Sequence, residues 1–131
     1  MRLGVFGGSF DPVHLGHLIL AEQCRAQAAL DRVLFVPAAR PPHKTDRELT
    51  AYHHRVEMLT LAISGNPAFA VDELEKDRPG PSFTVDTLRT LHARQPDAEL
   101  WLILGADSVV DLPKWYEPGA IVKLEIGRAH V

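Results

Sequence analysis

A single cysteine, Cys24, stands in 131 residues, so no internal disulfide is possible and a reducing cytoplasm is the expected setting. No apolar run approaches the ~20 residues that span a bilayer. The N-terminal Met-Arg-Leu-Gly-Val-Phe turns glycine-rich within a few residues and has no secretory apolar region or small-residue cleavage pattern. There is no internal repeat, low-complexity tract or linker. Excess positive charge is also missing: the formal net charge is −3, which argues against bulk nucleic-acid binding. Small anions remain open as ligands, because they need only local charge and backbone N–H groups.

What is present is an ordinary globular balance, 46% apolar and 24% charged, in a length that suits one domain. Short apolar runs alternate with helical stretches. Arg2–Phe6, Arg32–Val36 and Leu100–Leu104 read as buried strands, and Phe69–Val71 as the start of another. His14 to about Ala29, Ala51–Ser64 and Thr84–Gln95 read as helices, with a shorter one from Ser108. Tyr52, Val56, Leu59 and Ile63 form an apolar stripe, Thr50 is the expected N-cap, and Gly65-Asn66-Pro67 the stop. Arg55 and Glu57 are expected on the exposed face, while Ala38–Thr50 and Asp77–Ser82 read as loops. The alternation predicts an α/β fold: a Rossmann-like, doubly wound parallel sheet with helices on both faces. Ligands in such folds sit outside the carboxyl ends of the strands.

The first such end carries Gly7-Gly8-Ser9-Phe10-Asp11-Pro12-Val13-His14-Leu15-Gly16-His17. Gly7 and Gly8 let phosphates approach the backbone, and the helix N-terminus behind them favours an anion. Gly16 allows close packing, and His14 and His17 share a helix face from which they can donate to phosphate oxygens. The competing reading is a tight turn with two surface histidines.

This segment resembles the signature of the His/Thr-x-Gly-His nucleotidyltransferase superfamily. Histidine rather than threonine at position 14 is similar to its nicotinate-nucleotide adenylyltransferase branch. Pro41-Pro42-His43-Lys44, His54-Arg55-Val56-Glu57-Met58-Leu59, Gly80–Leu88, Gly105-Ala106-Asp107-Ser108 and Leu112-Pro113-Lys114-Trp115-Tyr116 stand in family order. The resemblance covers residues 1–124. It implies transfer of AMP from ATP to nicotinate mononucleotide, giving deamido-NAD and pyrophosphate.

It also implies the site. Gly7, Gly8, Ser9, Phe10, His14, Gly16, His17, Gly105 and Asp107 would bind ATP, with His14, His17 and Lys44 catalytic. Lys44, Thr84, Asp107, Trp115 and Tyr116 would meet nicotinate mononucleotide. Thr84 also reads as an N-cap, Asp107 as a helix cap or ribose acceptor, and Trp115 as the wall of a flat cationic ring, although one of the two aromatics could simply be core. Mg²⁺ would arrive with ATP, held by phosphates and water rather than by protein ligands. The same superfamily holds two further options, a nicotinamide mononucleotide or a phosphopantetheine acceptor. A non-catalytic nucleotide-binding fragment is another reading, and oligomeric state is not legible.

The family's second phosphate motif, Ser-(Ser/Thr)-Thr-x-Ile-Arg, is absent, so the domain is expected to lack its C-terminal part and to be marginally stable. Glu125–Val131 does not continue the helical pattern. One codon choice for Ile126 to Val131 spells DNA resembling a sequencing-library adapter, so residues 125–131 are expected to be a non-native tail.

Overall fold

A computed structural model describes residues 1–40, 49–78, 84–105 and 127–130. The elements are β1 (Arg2–Gly8), α1 (Leu15–Ala28), β2 (Arg32–Pro37), α2 (Tyr52–Ile63), β3 (Phe69–Val71), α3 (Thr84–Arg94), β4 (Glu99–Leu104) and β5 (Gly127–His130). The strands form one sheet in the order β3-β2-β1-β4-β5, and every pair is parallel.

Side-chain alternation along β1 sorts the core into two layers. Leu3 and Val5 face Leu34, Val36, Leu100 and Leu102, and meet Val85, Leu88 and Leu91 of α3. Phe6 points the other way, towards Val33, Phe35 and Ile103, and meets Ala21 and Cys24 of α1 and Leu59 and Ile63 of α2. Both faces of the sheet are therefore covered, which explains why the strands read as continuous apolar runs. The expected Rossmann-like architecture is what the chain adopts. The path leaves β1 towards β2 and β3 on the α1/α2 face, then crosses to the α3 face to reach β4. The strand order reverses between β1 and β4, and the crevice above that point is where such sheets take ligands.

Several boundaries move. β1 runs on to Gly8, because Gly7 and Gly8 pair with Val36 and Pro37. The N-cap of α2 is Ala51, with no side-chain cap, whereas Thr50 was expected there. Thr50 instead donates its backbone N–H to Asp11 Oδ2 at 3.0 Å, which ties the start of α2 to the turn after β1. Arg55 is not on an exposed face: only 1% of it is accessible. Gly127–His130, expected beyond the domain, pair in parallel with β4. An open strand edge accepts an extended segment through its backbone alone, so this pairing says nothing about the segment's origin.

Polar groups inside the fold anchor the flanking segments. Glu75, 2% exposed, takes hydrogen bonds on Oε1 from Arg78 Nη1 at 2.5 Å and from the Thr87 hydroxyl. Arg78 also donates to the Thr90 hydroxyl at 2.6 Å, so the segment after β3 is pinned along α3. The Tyr52 hydroxyl is buried without a hydrogen-bond partner among the described residues. Burial first, then the negative charge of Glu73, pushes its pKa from the ordinary 10.0 up to about 12. The folded state thus favours the neutral phenol, a contribution present below pH 10 and lost as pH rises towards 12. Tyr52→Phe is expected to leave stability unchanged at pH 9 or raise it by up to ~1 kcal/mol. Its advantage over the parent chain should grow at pH 11, as urea unfolding at the two pH values will show.

Candidate active site

The N-terminus of α1 lies at the carboxyl end of β1, in the crevice. His14 is its N-cap, with extended backbone (φ −142°, ψ 175°). Its Nδ1 accepts the Gly16 N–H at 3.1 Å, and His17 Nδ1 accepts the His14 N–H at 3.0 Å. The two imidazoles thus fill the reciprocal roles that Ser/Thr and Glu/Gln take in a capping box. Their rings stack at 3.9 Å, tilted by 27°. Because each Nδ1 accepts, the proton of each neutral ring sits on Nε2. The donor of each ring is then its Nε2–H, at the positive end of a helix dipole. No acidic residue stands in the first turn of α1 to neutralise that end. The arrangement fits an oxyanion with charge spread over several oxygens, such as a polyphosphate. It is poorly suited to a metal, since the nitrogens that accept are already occupied. Among the described residues, no three His, Cys, Asp or Glu side chains cluster as metal ligands.

The turn before the helix is held from below. Phe10 is 2% exposed, and its backbone adopts φ 47°, a left-handed conformation uncommon for a non-glycine residue. Its ring packs against Phe6 at 5.4 Å, Phe35 at 5.8 Å and His17 at 5.1 Å. Core burial thus sets the height of His17. Gly7 and Gly8 have a different reason to be glycine. Among the described residues, a Cβ at Gly7 would meet nothing nearer than 3.8 Å, and one at Gly8 would make ordinary contact with the Phe10 ring from 3.5 Å, so neither is excluded by crowding. Bare backbone at both positions suits close approach of a ligand.

Gly16 is the converse case. A Cβ there would lie 2.9 Å from His14 Cε1 and 3.0 Å from its Nδ1. Its role is to seat the His14 ring, more specific than the close packing inferred from sequence. Gly16→Ala should add helix propensity, about 0.8–1.0 kcal/mol in an exposed interior and less this near the cap. The displaced His14 ring should at the same time lose its bond to the Gly16 N–H. The lost capping bond offsets the gained propensity, so the expected result is a chain within about 1 kcal/mol of the parent in stability that binds ATP at least several-fold more weakly; ATP titration beside a melting curve tests it.

Gly105 follows β4, next to the end of β1 that carries Gly7 and Gly8, and among the described residues a Cβ there would meet Leu20 at 4.0 Å. Thr84 is half-buried and begins α3, which lies on the other face of the sheet. Ser9 joins the site through its carbonyl, which accepts from Arg55 Nη1 at 2.8 Å. Lys44, Asp107, Trp115 and Tyr116 lie outside the described residues. Sequence reasoning missed Arg55, although a signal existed: residues 55, 59 and 63 fall on one helix face, and all three are buried.

The family described as cytidylyltransferase-like matches residues 5–126, nearly the whole chain. The chain belongs to the cytidylyltransferase-like family. Among curated relatives of this cytidylyltransferase-like chain, a nicotinate-nucleotide adenylyltransferase from Bacillus subtilis is 46% identical over 123 residues, covering 94% of the chain and 65% of the relative. One from Thermomicrobium roseum, named a probable nicotinate-nucleotide adenylyltransferase, is 51% identical over 125 residues, with coverages of 95% and 58%. The chain therefore spans roughly three-fifths of the length of these relatives. In fold it is similar to a Plasmodium falciparum nicotinic acid mononucleotide adenylyltransferase solved with NaAD, with a TM-score of 0.80 at 21% identity. That match covers 99% of this chain and 74% of the other.

Proposed function

We propose that this chain is the ATP-binding part of a nicotinate-nucleotide adenylyltransferase, together with much of its acceptor site. The observation that carries the reading is the stacked His14–His17 pair at the N-terminus of α1, each ring accepting a backbone N–H on Nδ1 so that its donor is Nε2–H, with no acidic residue in the first turn of the helix. The relatives' names support the choice of acceptor.

In the reaction, a 5′-phosphate oxygen of nicotinate mononucleotide attacks the α-phosphorus of ATP. A new P–O bond forms, the α–β P–O bond breaks, and its electrons leave on pyrophosphate. A phosphate dianion is already nucleophilic, so no general base is required. Catalysis then rests on bringing two anions into line and offsetting the charge that grows on the leaving group. His14 and His17 would donate to that group, and Gly7, Gly8, Ser9 and Phe10 would line its approach. Lys44 would add a mobile cation, Gly105 and Asp107 would flank the nucleotide, and Thr84, Trp115 and Tyr116 would hold the acceptor. A divalent ion, Mg²⁺ in this reading, comes with ATP as part of the substrate. Neither nucleic acid nor membrane is a partner in it. Among the described residues no helix is long and apolar enough to cross a membrane, and Cys24 is free and buried, in keeping with a cytoplasmic setting.

Pyrophosphate release from ATP, measured with nicotinate mononucleotide, nicotinamide mononucleotide and phosphopantetheine as separate acceptors, tests the assignment. Fastest release with the first is expected. Preference for another acceptor moves the chain elsewhere in the superfamily, and ATP binding with no release under any acceptor leaves a nucleotide-binding module.

A further inference from the structure

The buried cation Arg55 has no place in the mechanism above. Its Nε donates to the Thr50 carbonyl at 2.9 Å, and its Nη1 donates to the carbonyls of Ser9 at 2.8 Å and Ala38 at 2.7 Å. Those three carbonyls come from three separate stretches of chain: the turn after β1, the exit from β2, and the approach to α2. Two further bonds cross the same junction. Ala38 N–H donates to the Gly8 carbonyl at 2.8 Å, and Thr50 N–H donates to Asp11 Oδ2. Burial lowers the pKa of Arg55, and the negative charge of Asp11 offsets part of that. A buried charge is costly unless fixed dipoles replace water around it, and here carbonyl oxygens do so. A lone hydrophobic residue would fill the space more cheaply, so the guanidinium fork is retained for what it joins.

What it joins is the glycine-rich turn. By accepting from Arg55, the Ser9 carbonyl fixes one face of the Ser9–Phe10 peptide, and the Phe10 N–H of that trans peptide must point the opposite way. Phe10 then takes φ 47°, a left-handed conformation that persists only where its surroundings over-determine it. The ring is held by the phenylalanine cluster, and the peptide before it by Arg55.

We propose that Arg55 is a positioning residue: it clasps the ends of β1 and β2 and holds the Ser9–Phe10 peptide in the one orientation that lets the turn receive phosphates. The clasp is a property of the fold, while its consequence for nucleotide rests on the reading under Proposed function. Native-state hydrogen exchange on the unmodified chain tests the clasp without ligand. The amides of Ala38 and Thr50, far apart in sequence, should open in one step with the same denaturant dependence. Separate openings overturn the clasp.

The consequence is tested with Arg55→Lys, titrated with ATP and Mg²⁺ at a temperature where circular dichroism shows it as folded as the parent. A lysine cannot span carbonyls set out for a planar fork, so a Kd raised at least ten-fold is expected. An unchanged Kd in the folded variant overturns the positioning role. Should Arg55→Lys not fold, 15N shifts of Ser9, Phe10 and Asp11 in the parent chain, with and without tripolyphosphate, decide the matter. Movement of these together with Ala38 supports the role, and movement at the helix N-terminus alone overturns it. If the parent binds neither ATP nor tripolyphosphate, the phosphate-site reading and the role in nucleotide binding fail together, and the exchange result still judges the clasp.

Discussion

His17→Ala is expected to lower kcat for AMP transfer by about 10²–10³, with a much smaller change in KM, because in the proposed reaction it deletes a donor to the leaving pyrophosphate, where negative charge grows. His17 has a second duty that the same substitution removes. Its Nδ1 accepts the His14 N–H, and its ring lies against Phe10 and stacks on His14. Alanine therefore also strips half of the capping box, worth about 1 kcal/mol of helix stability. His17→Gln separates the two duties, since glutamine at this place in a capping box can still accept the N-cap N–H. Its melting temperature should return towards that of the parent, while kcat should stay at least ten-fold low. Pyrophosphate release gives kcat and KM, and thermal melts give stability. A rise in KM with kcat intact would mean that His17 binds ground state and transition state alike, and the catalytic role would fall.

The layering of the fold was legible because burial on both faces of a parallel sheet leaves little room for ambiguity. Phe6, Val33 and Ile103 had to be interior whatever the loops did. The turn from β1 into α1 was legible because two glycines close an apolar run, although Gly7 and Gly8 themselves pair within the strand. What the sequence did not disclose is how the groups are tied down. Adjacent histidines on one helix face look alike, whether free in solvent or committed through Nδ1, and only backbone geometry shows the second. Gly16 looks like a packing residue until the His14 ring is seen beside it.

Arg55 was misplaced for a physical reason. Residue type argues for the surface and position argues for the interior, and type is usually the stronger guide for arginine. Position won here because three backbone carbonyls converge on the guanidinium, and no pattern of side chains announces converging carbonyls. Thr50 failed as a cap on the same principle: its N–H was wanted by Asp11, 39 residues away in sequence. Lys44, Asp107, Trp115 and Tyr116 lie outside the described residues.

Phe35→Ala carries the largest expected cost in stability, about 3–5 kcal/mol, against a total of about 5–15 kcal/mol for an ordinary domain. Phe35 is 0% exposed in the middle of β2, with its ring 5.5 Å from Phe6, 5.8 Å from Phe10 and 5.1 Å from Phe69. Removing it opens a cavity beneath the residue that carries the left-handed backbone of the phosphate turn. Strain at Phe10 is sustained by burial of its ring, so the turn should relax before the sheet gives way. ATP affinity is then expected to fall by an order of magnitude or more at temperatures where the variant is still folded. Leu91→Ala provides the comparison: Leu91 is equally buried, but it lies in the other layer, among Val85, Leu88 and the Leu3 side of β1. That variant should lose about 2–5 kcal/mol of stability and keep its ATP affinity once allowance is made for the unfolded fraction. Equal losses of affinity in the two variants would mean that the site follows global stability, and that the phenylalanine layer does not hold it in particular. A loss confined to Phe35→Ala would show that the layer under β1 and β2 serves as the floor of the nucleotide site.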